Sequence, residues 1–173
     1  MKGNEEMSHI ETERKLIILK PDEEILLSQK DFTESKILQI YLENGTLTHR
    51  VRLREYSDGR IEYTENKKKR ISALSAIEEE REISKEEFEA LSRNVEKGAS
   101  PLRKMRRTFS LSGLIYELDY YGAWEKTCIL EVEIPSESEE INIPPFITVL
   151  KDVTGDKRYS NHSMSHNFPK EDA

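Results

Sequence analysis

Near the start of the chain, Glu11-Thr12-Glu13-Arg14-Lys15 sets two carboxylates and an amine at alternate positions, just before the apolar run Leu16-Ile17-Ile18-Leu19. Side chains of an extended strand alternate between its faces, so Glu11, Glu13 and Lys15 share one face and Ile10, Thr12, Arg14 and Leu16 the other. Carboxylates two residues apart stand about 6.6 Å from each other and, at an effective dielectric near 20, repel by about 2.5 kcal/mol. A cation must sit beside them. It is either a divalent metal, for which carboxylate oxygens are natural ligands, or a Lys or Arg from a neighbouring strand.

The same alternation recurs with one sign per strand. Arg50, Arg52 and Arg54 share a face opposite Val51 and Leu53; Glu78, Glu80 and Glu82 alternate; so do Lys104, Arg106 and Thr108, and Glu131 and Glu133 against Leu130, Val132 and Ile134. A solvated sheet face mixes signs along each strand. Strands that are wholly cationic or wholly anionic suit a concave interior that holds a polyanion on one wall and metal ions on another.

The elements that position these residues are legible in outline. Pro21-Asp22-Glu23-Glu24 followed by Ile25-Leu26-Leu27 predicts a short helix with acidic residues in its first turn. Lys36–Leu42, Thr46–Glu55 and Arg60–Lys68, separated by Asn44-Gly45 and Asp58-Gly59, predict a three-stranded antiparallel meander. Ser84-Lys85-Glu86-Glu87 is a capping box, and Phe88, Leu91 and Val95 follow at helical spacing before Gly98. Ser112-Gly113 turns an Arg103–Ser110 strand back into Leu114–Tyr120, which carries Asp119. Pro135 to Glu140 reads as a polar loop, and Phe146 to Leu150 as a short apolar segment. The sum is seven or eight strands with two or three helices. So many charged interior positions are tolerable in a closed barrel wide enough to admit water and ligand.

Bulk composition narrows the function classes. The 173 residues suit one domain, and although only 35% are hydrophobic against 35% charged, the apolar residues come in periodic runs that argue for a folded chain. A net charge of -7 disfavours general nucleic-acid binding, which needs a basic face. The single Cys128 rules out an internal disulfide framework and reads as a buried apolar group. No segment reads as a signal peptide or is apolar enough to span a bilayer, which predicts a soluble, cytoplasmic protein without membrane partners. His9, His49, His162 and His166 lack metal-ligand spacing and read as surface residues. Trp124, Tyr116, Tyr120 and Tyr121 read as packing or rim residues, and Lys69 and Arg70 as a solvated turn.

Taken in order, Glu11-x-Glu13-x-Lys15, Arg52-x-Arg54, Glu78-x-Glu80, Lys104-x-Arg106, Asp119 and Glu131-x-Glu133 resemble the CYTH superfamily, the triphosphate tunnel metalloenzymes. Val153-Thr154-Gly155-Asp156-Lys157-Arg158-Tyr159-Ser160-Asn161 is similar to the C-terminal signature of its bacterial members. The resemblance spans residues 9–166 as one domain, leaving 1–8 and 167–173 as disordered ends. It implies an α+β, mainly β fold: a closed eight-stranded antiparallel barrel forming a tunnel, with a few flanking helices.

The implied activity is hydrolysis of a small triphosphate compound, most of all inorganic tripolyphosphate, with Mg²⁺ or Mn²⁺, by a monomer or homodimer. Carried over residue by residue, Glu11, Glu13, Glu131 and Glu133 become metal ligands. Lys15, Arg50, Arg52, Arg54, Lys104, Arg106 and Arg158 become phosphate clamps, and Glu78, Glu80 and Asp119 the catalytic carboxylates for positioning water or a second metal. Arg suits the clamp role because its fork grips phosphate in bidentate fashion. Where the family usually carries Thr-x-Lys after the arginine pair, this chain has Thr64-Glu65-Asn66; Lys68 keeps the parity of Thr64 and is read as the clamp lysine, with Lys67 as the alternative. A class IV-type adenylyl cyclase making cyclic AMP from ATP, and a non-catalytic polyphosphate- or nucleotide-binding module, remain as alternative functions.

Overall fold

The structure, a computed structural model, describes residues 7–171. Its strands are β1 Met7–Leu19, β2 Thr33–Leu42, β3 Thr48–Tyr56, β4 Ile61–Arg70, β5 Ser75–Glu82, β6 Leu102–Leu111, β7 Leu114–Tyr120, β8 Thr127–Glu133 and β9 Val149–Asp152. Helices α1 Glu23–Leu27, α2 Lys85–Leu91 and α3 Asn161–His166 flank them, with a single 3-10 turn at Lys157–Tyr159. The strands run in the order β5-β4-β3-β2-β6-β7-β8-β1-β9, all pairs antiparallel, and a further β5–β1 pairing closes strands β1 to β8 into an eight-stranded barrel.

Closure depends on the length of β1. Its first half, Met7 to Thr12, pairs with β5, while Glu13 to Leu19 pairs with β8. The short β9 lies along Leu16 to Ile18 and is the ninth strand, outside the barrel. The link from β6 to β7 is the two-residue turn Ser112-Gly113, with φ of 52° and 76°; positive φ at both positions matches the twist of the flanking strands.

Strand parity sorts the side chains. Outward apolar residues of β1, β6, β7 and β8, including Leu16, Ile18, Phe109, Tyr116, Leu118, Leu130 and Val132, pack with Leu26 of α1 and with Ile134 and Ile147. On the opposite side Leu42, Val51 and Ile83 pack with Phe88 of α2. A third cluster lies within the barrel: Ile17 and Ile129 continue the inward faces of β1 and β8 beyond Lys15 and Glu131, and meet Leu102, Tyr121, Trp124, Tyr159 and Met164 of α3. The lumen is therefore charged along part of its length and ends against an apolar floor.

Four expectations are corrected. Helix α2 ends at Leu91: Ser92 caps it, its hydroxyl donating to the Phe88 carbonyl at 2.6 Å, and Val95 instead forms a β-bridge with Leu42. Residues 167–171 are not a disordered tail, because Phe168 packs on Tyr121 and Trp124, the Trp124 indole donates to the Pro169 carbonyl at 3.0 Å, and Glu171 accepts bonds from the backbone of Glu125, Lys126 and Thr127. At the other end, residues 1–6 of the expected disordered segment lie outside the described residues, and Met7 and Ser8 begin β1. Finally, His49 is no surface residue: its side chain is 11% exposed and bonds Glu65 at 2.7 Å.

Candidate active site

The barrel encloses a cavity of about 750 Å³. Its lining includes Glu11, Glu13 and Lys15 of β1, Arg50, Arg52 and Arg54 of β3, Asn66 and Lys68 of β4, Glu78 and Glu80 of β5, Arg106 of β6, Glu117 of β7 and Glu131 of β8. Each set sits at alternate positions of its strand, so the parity of the sequence is what directs the charges inward. The loop Thr154 to Lys157 and Asn161 to Ser163 of α3 complete the lining.

One wall, built by β1, β5 and β8, is acidic and cross-linked. The Lys68 ammonium lies 2.5 Å from Glu11, and Lys15 lies 3.3 Å from Glu131 and 3.8 Å from Glu13 while donating to the Tyr159 carbonyl. Asn66 donates to both Glu78 and Glu80, and Arg50 stands 3.7 Å from Glu78. The lysines do not neutralise the wall evenly. Burial, with Glu131 and Glu11 close by, pushes the Glu13 carboxyl up to about 7 despite Lys15. Burial would raise Glu131 as well, but Lys15, Arg106 and Lys104 outweigh it and hold that carboxyl well below the usual range. In the same way burial and Glu11 raise Glu78. Glu133 faces Glu13 directly across the β1–β8 pairing but is exposed and is not among the residues lining the cavity. These oxygen donors are the set a hard divalent cation takes, and the raised Glu13 marks the place where added positive charge is favourable.

The facing wall, on β3, is the reverse. Arg52 and Arg54 make no ion pair with a described residue; Arg52 donates to Gln39 at 2.9 Å and Arg54 to Ser35 at 2.9 Å, both neutral groups of β2. Register is the cause, since Arg52 stands opposite Gln39 on one side and Thr64 on the other. Burial, with Arg50 and Arg106 nearby, lowers the Arg52 guanidinium to about 10. The Nε atoms of Arg50 and Arg52 are buried with no hydrogen-bond partner. Buried polar atoms are almost always bonded, and unpaired buried cations are costly, so this wall is organised for an anion.

Some residues read from the sequence as touching substrate lie behind the lining. Lys104 and Asp119 are bonded to each other at 2.6 Å with side chains 0% exposed, and Lys104 also donates to Asn161. Asp119 further accepts a bidentate pair from Arg106 at 2.7 and 2.8 Å, so it aims that guanidinium into the tunnel. Arg158 is exposed and folded back on Asp156, and Lys157 takes its place in the lining. Lys68, not Lys67, faces the lumen.

Other residues of the site escaped the sequence reading. Glu117 bonds Arg106 at 2.7 Å, and its position two residues before Asp119 carried the signal. Gln39, the one amide in the run Ile37 to Leu42, holds Arg52. No local pattern pointed to Tyr41 or His162, whose rings meet at 5.2 Å at the inner end.

A closed antiparallel tunnel with carboxylates on one wall and guanidinium groups on the other defines a class of barrel. The fold is that of the CYTH superfamily. Among solved structures it is similar to the inorganic triphosphatase NE1496, with 27% identity, a TM-score of 0.56, and coverage of 91% of this chain and 99% of that one. A second structure of NE1496 gives 28% identity and a TM-score of 0.55 over 92% of this chain and 99% of that one. The PH1819 protein from Pyrococcus horikoshii OT3 shares the fold at 19% identity and a TM-score of 0.51, covering 72% and 80% of the two chains. No protein-family model matches the chain, and no curated protein matches it significantly by sequence.

Proposed function

We propose that this chain is a divalent-metal-dependent hydrolase of triphosphate compounds, with inorganic tripolyphosphate as its substrate and Mg²⁺ or Mn²⁺ as its metal. The observation that carries the reading is the unpaired pair Arg52 and Arg54, held by neutral partners opposite a wall of carboxylates. NE1496, the triphosphatase of 27% identity, supports it.

Arg52 and Arg54 grip the phosphate chain from one side, with Arg106 directed from β6 by Asp119 and Glu117. Lys15 and Lys68, drawn to carboxylates in the free protein, are near enough to the lumen to turn toward phosphate oxygens. Glu11, Glu13 and Glu131 would hold the metal, with Glu133 across the strand pairing from Glu13, and the metal would supply charge stabilisation at the transferring phosphoryl group. Glu78 and Glu80, oriented by Asn66, are the lining carboxylates left to position water. Catalysis of this kind rests on position and fixed charge, with no covalent step required of the protein. Tripolyphosphate is favoured over a nucleotide because Tyr41, an aromatic side chain of the cavity lining, is 2% exposed and packed against His162.

The test is release of phosphate from tripolyphosphate, ATP and thiamine triphosphate by purified protein with Mg²⁺ or Mn²⁺. Hydrolysis with tripolyphosphate preferred is the expected result. Cyclic AMP and pyrophosphate from ATP would make the protein a cyclase, and tight binding without turnover would make it a binding module; either outcome overturns the proposal.

A further inference from the structure

Outside the tunnel carboxylates, a second group of metal-ligating side chains comes together from two separate segments. His162 and His166 are four residues apart on α3 and so lie on one face of the helix. Both aim Nε2 at the same carboxylate oxygen of Glu96, at 2.6 and 3.2 Å, and the three ligand atoms lie within 4.8 Å of one another.

The geometry points to a three-ligand site for a borderline transition-metal ion such as Zn²⁺, formed by Glu96, His162 and His166 and chemically distinct from the oxygen-only tunnel wall. We propose that metal bound there fastens α3 over the inner end of the tunnel.

Three features support this. Two imidazoles and a carboxylate are a donor set that Zn²⁺ takes with a fourth position open. The imidazoles are already oriented: the His162 ring lies edge-on against Tyr41 at 5.2 Å, and the His166 ring lies so close to Gly98 that a β-carbon there would stand 3.3 Å from Nδ1. Outer contacts that fix a ligating ring are a recurrent part of metal sites. The Glu96 side is fixed too, since its backbone N–H donates to the Tyr41 carbonyl at 2.9 Å and Ser100 N–H to the Ser165 carbonyl at 2.8 Å. Both sides of the cluster are thus held before any ion arrives. Because Asn161 of the same helix bonds Lys104 and Tyr121, fastening α3 also fixes the floor beneath the arginine wall.

Calorimetric titration of the full chain with Zn²⁺, in excess Mg²⁺ to occupy oxygen-only sites, tests this, together with the visible absorption of Co²⁺ substituted for Zn²⁺. The expected result is one equivalent bound, an intense tetrahedral Co²⁺ spectrum, and a rise in Tm of about 5–10 °C at a hundredfold excess over Kd. His166→Gln and, separately, Glu96→Gln should each abolish the spectrum and the Tm rise, whereas Glu11→Gln should keep both. Absence of Zn²⁺ binding, or binding that survives both His166→Gln and Glu96→Gln, overturns the proposal. These readouts do not depend on triphosphate turnover, so they stand or fall apart from the proposed hydrolysis.

Discussion

The two walls of the tunnel handle their charge in opposite ways. On the β1–β8 side Glu11 and Glu13 each have a lysine within 3.8 Å, and Glu131 is held ionised between Lys15 at 3.3 Å and Arg106 at 3.4 Å. On the β3 side Arg52 and Arg54 hydrogen-bond to an amide and a hydroxyl, and Arg54 also lies over the Tyr56 ring at 4.7 Å, with no ion pair to a described residue. A compensated wall contributes to the fold, whereas an uncompensated one stores unfavourable energy that a ligand can relieve. Removing a charge should therefore have opposite consequences on the two sides. The largest expected effect is Glu131→Gln, which leaves Lys15 and Arg106 without the anion they share; breaking a buried pair costs about 3–5 kcal/mol, and the low end applies because Glu13 stands 3.8 Å from the same lysine. Thermal denaturation should show Tm falling by about 6–12 °C at neutral pH.

Arg52→Ala breaks the comparison from the other side. It removes a guanidinium that has no acidic partner, so Tm should stay within about 2 °C of the parent or rise. Turnover of tripolyphosphate should instead fall by about 10²–10³, the usual cost of deleting one preorganised charge-stabilising group. A large loss of stability with little loss of turnover would show that Arg52 belongs to the structural wall.

Which side chains face the lumen was legible in the sequence, because parity is a local property of a strand: Glu11, Glu13, Arg52, Arg54, Arg106 and Glu131 all project as their spacing requires. Depth along the tunnel was not. Lys104 shares its face with Arg106, yet it is covered, because Leu102, Ile17 and Ile129 end the charged stretch and α3 closes over them. That depends on the stagger between strands and on a helix some sixty residues away in sequence, neither of which a periodic pattern records. Asp119 was noticed in β7, but its service to Arg106 rests on the β6–β7 register. The cluster of Glu96 with His162 and His166 is non-local in the same sense: the two histidines were read as surface residues without metal-ligand spacing, and only the fold brings the loop carrying Glu96 against their shared helix face.

The smallest expected effect lies within the acidic wall and separates its compensated members from its crowded one. Burial, Glu131 and Glu11 raise the folded-state carboxyl of Glu13 to about 7 from an ordinary 4.5. A group whose pKa is higher folded than unfolded contributes its stability below the unfolded value, and that contribution is lost as pH rises through the folded one. Glu13 therefore favours the metal-free fold least above pH 7, where its charge costs up to about 3 kcal/mol. Glu13→Gln should raise Tm at pH 8 by several degrees and leave it nearly unchanged at pH 4, the reverse in sign of Glu131→Gln at neutral pH. Saturating Mn²⁺ should reduce the difference at pH 8, since a cation bound beside Glu13 removes the penalty that the substitution relieves. A Glu13→Gln protein destabilised at pH 8 would mean that Lys15 depends on Glu13 as much as on Glu131, and the acidic wall would then have no vacancy for a metal.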